Sequence, residues 1–161
     1  MIDRLIEIIG REASLFESFL ALFEQQQRLL VSNDADGLGA VTAQLRERLM
    51  ESRRLNQQRE DAIRRIKEEN RIQGDLNVTR LLEIVDDAQA SQLVRLRDLI
   101  TSLNDKIAHT RNQNALLLNK SREYIAKMMD LLSKMTRPEP AYRPAAAADQ
   151  QVYNVALDRR V

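Results

Sequence analysis

Few residues in this chain have a type and spacing suited to bond-breaking chemistry. Its one histidine, His109, falls between Ile107 and Thr110 on the outer side of a heptad pattern, the place of a solvated side chain. The absence of cysteine removes disulfides and thiolate zinc sites. Zinc would then need carboxylates for nearly all its ligands, and the carboxylates are dispersed as helix-surface charges. Ser102 and Ser121 have no histidine within a turn, so no nucleophile–base pair is suggested. The four glycines form no phosphate-cradling loop. No catalytic residue, metal site or cofactor is therefore expected, and the chain reads as a non-enzyme.

The chemistry the residues do offer is apolar recognition. Leu93, Leu96, Ile100, Leu103, Ile107, Thr110, Asn114, Leu117, Ser121, Tyr124, Met128, Leu131 and Met135 keep alternating three- and four-residue steps without a slip. That is about six heptads of coiled-coil register. Polar Thr110, Asn114 and Ser121 interrupt the seam. They set register inside a bundle, as Asn does in coiled coils, or they belong to a face that meets a partner and is not permanently buried. The methionines toward its end suit adaptable binding, because thioether side chains repack around different surfaces.

Three long helices must position this seam. The first is predicted over about 2–31. Ile2, Leu5, Ile9, Phe16, Phe19, Phe23 and Leu30 mark its seam, and Ile6, Ala13 and Leu20 widen it. All three phenylalanines lie here, so this seam is expected to carry the densest packing. Ser32-Asn33-Asp34-Ala35-Asp36 is a turn cluster in which Asp34 or Asp36 can cap the next helix. So short a connection implies antiparallel neighbours.

The second helix is predicted over about 36–71, through Leu38, Thr42, Leu45, Leu49, Ser52, Asn56, Arg59, Ile63 and Ile66. Antiparallel pairing brings Asn56 and Arg59 opposite Glu12. There they form a polar layer that fixes register, or Arg59 reaches past it to water. Gln73-Gly74-Asp75-Leu76-Asn77 breaks the chain, and Asn77 or Thr79 caps a short helix over about 78–88. The run from Asp86 to Ser91 leads into the last helix, about 91–136, as a kink or as a new N-terminus.

Lengths then matter. The last helix spans roughly 65 Å and the first roughly 45 Å at the helical rise. Starting near the same end, the last helix outruns the first, and its stretch from about Asn114 to Met135 is expected to overhang. That stretch stays apolar, and an uncovered apolar stripe marks a partner site. Beyond it Pro138, Pro140 and Pro144 end the helix. Residues 137–161 are expected to be a flexible Pro/Ala-rich tail on a helical bundle of residues 1–136.

Composition agrees. The chain has 161 residues, 43% hydrophobic, 30% charged and only 4% aromatic. That mixture suits long solvated helices. The fold class expected is all-α: an elongated antiparallel bundle of three long coiled-coil helices, with a short extra helix and a mobile C-terminal tail. The net charge is +1 with both signs mixed along the chain, so no basic stripe for nucleic acid is seen. No stretch approaches the roughly 18 apolar residues of a membrane span. Met1-Ile2-Asp3-Arg4 does not begin like a secretory signal. A cytoplasmic location without membrane insertion is expected.

The run Asn112-Gln113-Asn114-Ala115-Leu116-Leu117-Leu118-Asn119-Lys120-Ser121-Arg122-Glu123-Tyr124-Ile125 resembles a motif of the FlgN-like flagellar export chaperones. These carry paired Asn, Leu-Leu, a small polar residue and an aromatic–aliphatic pair late in their last long helix. The order of elements is similar too, from the turn at Ser32-Asn33-Asp34 to the charged second helix with its Leu55-Asn56-Gln57-Gln58-Arg59-Glu60. The resemblance implies a chaperone of the flagellar type III export system. Such a chaperone binds the C-terminal helical regions of hook-associated proteins, the junction proteins between hook and filament. It prevents their premature assembly and aids delivery to an export-gate component at the membrane. Carried onto this sequence, the client-binding residues are Asn114, Leu117, Leu118, Ser121, Tyr124, Ile125 and Met128, with Leu131 and Leu132 beyond. The tail aromatic of gate docking matches Tyr153. There the chain departs from the family, reading Tyr153-Asn154-Val155-Ala156-Leu157 where an acidic residue or glycine commonly follows the Tyr. The competing reading is a self-associating structural coiled coil without a transient client, which predicts a stable oligomer through the 114–135 stripe; the chaperone reading predicts a monomer or at most a weak homodimer.

Overall fold

Turn chemistry near residue 33 decides the first helix pairing. In the computed structural model, which describes residues 1–136, helix α1 runs Ile2–Ser32 and closes on Asn33 in the left-handed conformation, φ 55° and ψ 36°. The Asn33 N–H donates to the Leu30 carbonyl and the Asp34 N–H to the Leu29 carbonyl at 3.0 Å, a Schellman closure. Asn is one of the few side chains that tolerate this backbone. The Asp34 carboxylate then accepts from the Gly37 N–H at 2.9 Å and starts α2, Ala35–Glu69. Gly37 is needed there, because a Cβ would lie 2.6 Å from Asp34 Oδ2 and 2.7 Å from Leu29 Cδ2. Of the two caps the sequence allows, Asp34 is the one used, and α1 and α2 run antiparallel.

Helix α2 ends in the same closure. The Ile72 N–H reaches the Lys67 carbonyl at 2.9 Å, with Arg71 left-handed at φ 53°. Helix α3 is short, Val78–Leu82, capped by Asn77 onto the Arg80 N–H at 2.9 Å. The expected span of 78–88 is cut because Asp86 starts a new helix. Its carboxylate accepts from the Gln89 N–H at 2.8 Å, and Gln89 Oε1 reaches back to the Asp86 N–H at 3.4 Å. That reciprocal capping box begins α4 at Asp87, four residues before the expected start, and α4 continues to Thr136. No strand occurs among the described residues.

The chain divides into two compact units, Met1–Tyr124 and Ile125–Val161. In the first, α4 runs parallel to α1. Gln89 bonds Asp3 at 2.7 Å, and Gln27 bonds Gln113 at 2.9 Å, with the same offset of 86 residues at both ends. This register holds over roughly 24 residues, about 36 Å. By the same offset the end of α1 lies level with Leu118. Of the second unit, the described residues are the helical ones from Ile125 to Thr136.

The core joins Leu5, Ile6, Ile8 and Leu15 of α1 to Leu55, Ala62 and Ile66 of α2, with Leu81 of α3 and Leu93 of α4. This revises the expected seam of α1. The residues buried along it include Ile8, Leu15 and Leu22, spaced by sevens, whereas Phe16, Phe19 and Phe23 are only half-buried. Ile8 lies beside Ala62 and Leu15 beside Arg48 and Glu51, so this stripe faces α2. A helix flanked on two sides needs two apolar stripes. The phenylalanines occupy the stripe with the looser cover.

Candidate functional site

Burial along α4 falls toward its C-terminus. Leu93, Leu103, Thr110 and Asn114 are buried, Leu117 and Ser121 are half-buried, and every residue from 122 to 136 is exposed. The predicted site residues therefore separate. Asn114, 2% exposed, belongs to the seam with α1: its Nδ2 donates to the Phe23 carbonyl at 2.9 Å and to Gln26 Oε1 at 3.0 Å. Its Oδ1 is buried without a partner. Of the two roles the sequence left open, Asn114 takes the register-setting one in this structure. Asn114, expected to begin the overhang, is therefore covered by α1.

The rest of the predicted set is accessible. Leu118 and Tyr124 are exposed in the first unit, Tyr124 at 66%. Ile125, Met128, Leu131 and Leu132 are exposed in the second. Met129 and Met135 are exposed as well. The steps from Tyr124 to Met128, Leu131 and Met135 keep one face of α4 by helical geometry. Lys134 and Asp130, paired at 2.7 Å, flank that face with charge. Water meets large apolar side chains here, which is costly unless something else covers them. Tyr153, the gate-docking residue implied by resemblance, lies outside the described residues.

A second feature had only a faint sequence signal. Between α2 and α4 lies a groove of about 670 Å³, floored by Ile9, Glu12 and Phe16 of α1. Leu81 and Val78 of α3 also line it. The polar layer expected across α1 and α2 is present at this floor. Arg59 Nε lies 3.3 Å from Glu12 Oε1, and Arg59 Nη2 donates to Asn56 Oδ1 at 2.6 Å. The Nε itself is buried, and no hydrogen bond satisfies it; the approach to Glu12 is an ion pair with poor hydrogen-bond direction. The Glu12 side chain is 13% exposed and that of Arg59 41%, so the guanidinium both pairs and touches water. Burial raises the Glu12 carboxyl above its ordinary value of 4.5, while the Arg59 charge pulls it down. The signal available in sequence was the run of polar residues in the middle of the α2 seam.

Among the described residues no cluster of His, Asp or Glu is arranged to hold a metal ion. No described helix is long and apolar enough to cross a membrane. The sequence matches the family model described as FlgN protein over residues 1–150, and the chain belongs to that family. FlgN proteins are flagellar export chaperones, a chaperone family and not an enzyme family, and they bind flagellar hook-associated proteins. No curated protein and no solved structure matches the chain significantly.

Proposed function

We propose that this chain holds the C-terminal helical region of a hook-associated protein on the exposed face of α4, and releases it at the export gate. The observation that carries the reading is the row of large apolar side chains, Tyr124, Ile125, Met128, Leu131 and Leu132, all left in water on one helix. A client segment that later packs into a coiled coil aggregates if left bare. An amphipathic stripe substitutes for its future neighbour by helix-against-helix packing. Half-buried Ser121 and Leu117 border the stripe, and Asn114 serves it indirectly by fixing the register of α4 on α1. Holding takes place in the cytoplasm. The tail, residues 137–161, acts in delivery through Tyr153 and not in holding. The same stripe supports a weak homodimer that the client displaces.

The test is calorimetric titration of a hook-associated protein's C-terminal helical fragment into the full chain. Tyr124→Ala, Met128→Ala and Leu131→Ala are each expected to weaken binding by about 1–3 kcal/mol, the range of central interface residues. Tyr153→Ala is expected to leave this affinity alone and to lower export in cells. Native affinity in all three α4 variants would place the holding surface elsewhere.

A further inference from the structure

The groove between α2 and α4 shares no lining residue with the exposed stripe of Tyr124, Ile125, Met128, Leu131 and Leu132. Helices α2 and α4 both flank α1 but stand apart from each other across it. The floor is the half-buried Ile9 and Phe16, one helical heptad apart, and Ile100 of α4 adds an apolar wall. On α2, exposed Leu49 continues the face of Ser52 and Asn56 at steps of three and four. The floor from Ile9 to Phe16 is about 10 Å long at helical rise. That length admits two to three turns of a helix anchored at i, i+3 or i+4, and i+7.

Charge identifies what kind of helix. Three guanidinium groups line the groove, those of Arg53, Arg59 and Arg97, against one carboxylate, Glu12. Arg59 is committed to Glu12. Arg97 shares its charge with exposed Asp98 at 2.9 Å. Arg53 has no ion-pair partner among the described residues. The lining thus carries more guanidinium than carboxylate, with Arg53 on the α2 side the unpaired cation and Arg97 on the α4 side shared with Asp98, over an apolar floor.

We propose that this groove is a second client-docking surface, and that it takes an amphipathic helix whose apolar face meets Phe16 and Ile100 and whose carboxylates meet Arg53 and Arg97. The proposal rests on the chaperone reading above and deepens it: one client is gripped at two places, one apolar, the other apolar with guanidinium groups in its lining. Two weak contacts joined through one client hold tightly yet release stepwise, because losing either returns the other to its own low affinity.

The experiment uses the full chain and a fluorescein-labelled synthetic peptide spanning an acidic, amphipathic helix from the C-terminal region of a hook-associated protein. A second peptide has its Asp and Glu replaced by Lys. Anisotropy at low salt is expected to show the Arg53→Glu/Arg97→Glu double variant binding the acidic peptide at least tenfold more weakly than the native chain. The same variant should bind the Lys peptide better than the native chain does, which a merely misfolded protein would not. Raising salt should shrink both differences. Thr101→Trp, which fills the groove from an exposed position, should weaken the acidic peptide while keeping the native melting transition. If the double variant and Thr101→Trp bind within twofold of native while Met128→Ala still impairs the whole client fragment, the groove proposal fails and the α4 reading stands. If neither set has any effect, both fail. Two further outcomes would also overturn the proposal. One is self-association in light scattering that the double variant abolishes, making a second copy the occupant. The other is a dansyl label on Thr101→Cys, in this cysteine-free chain, already shielded from water in the peptide-free monomer, making the chain's own C-terminal segment the occupant.

Discussion

Ile8 of α1 and Met128 of α4 are both large apolar side chains on regularly stepped helices. Ile8 is 2% exposed and Met128 43%. Both helices repeat apolar residues at helical steps, and nothing local distinguishes the two positions. Ile8 lies on the side of α1 where Ala62 of α2 faces it; the Met128 side chain is left in water. Periodicity reports which face of a helix wants cover, and only the surface that arrives opposite decides whether that cover is present. The same sequence logic thus builds a core in one region and an exposed apolar face in the other.

The widest separation between the two regions should appear in stability. Ile8→Ala and Leu55→Ala remove fully buried side chains and are each expected to cost about 2–5 kcal/mol in urea unfolding. Met128→Ala and Leu131→Ala, at exposed positions, should stay within about 0.5 kcal/mol. Comparable losses in both pairs would mean that the end of α4 is ordinary core and that the comparison collapses.

Glycines at the start of α2 give a smaller, signed contrast. At Gly37 a methyl group would press on Asp34 and Leu29, whereas at Gly39 nothing lies within 4 Å. Gly37→Ala should lose roughly 1–2 kcal/mol as the Asp34 cap is disturbed. Gly39→Ala should gain up to about 1 kcal/mol from helix propensity alone. Thermal melts of the two variants read the difference directly. A gain at both positions would show that the α1–α2 corner is looser than its close contacts suggest.

The smallest effect sharpens the polar layer beneath the groove. Burial holds the Glu12 carboxyl above its ordinary value of 4.5, with Arg59 opposing. The folded chain then keeps this proton to higher pH than the unfolded chain does. The contribution of Glu12 therefore favours folding below the unfolded value, and that favour is lost as pH rises through the folded one. Measured against Glu12→Gln by urea midpoints, the native chain should gain relative stability as pH falls from neutrality toward 4.5. A difference that stays flat with pH would mean that water reaches Glu12 freely and the groove floor is wet.

Much of this was readable beforehand where a local group has a local partner. Asn33 and Asp34 announce a reversal because one tolerates the left-handed backbone and the other accepts a free N–H. The α4 seam keeps one register from Leu93 to Met135, whereas the Asp86–Gln89 capping box that starts α4 at Asp87 was not anticipated, the 86–91 run reading as a kink or a new N-terminus. Other features were less legible. Asn114 sits in that seam midway between a buried and an open stretch, and its role depends on whether Phe23 and Gln26 are beside it. The two stripes of α1 are both apolar, so which one is deeper could not be told from their spacing.

By itself the sequence determined that the described residues are helical, where the first two long helices reverse, and which faces are apolar, because caps, turns and periodicity are set within a few residues. Tertiary structure alone decided that Ile8, Leu15 and Leu22 lie deeper than the phenylalanines, that Asn114 is sealed against α1, and that α2 and α4 stand apart over Phe16. Each of those outcomes depends on which surfaces from distant parts of the chain arrive opposite one another, and neither propensity nor spacing within one helix contains that information.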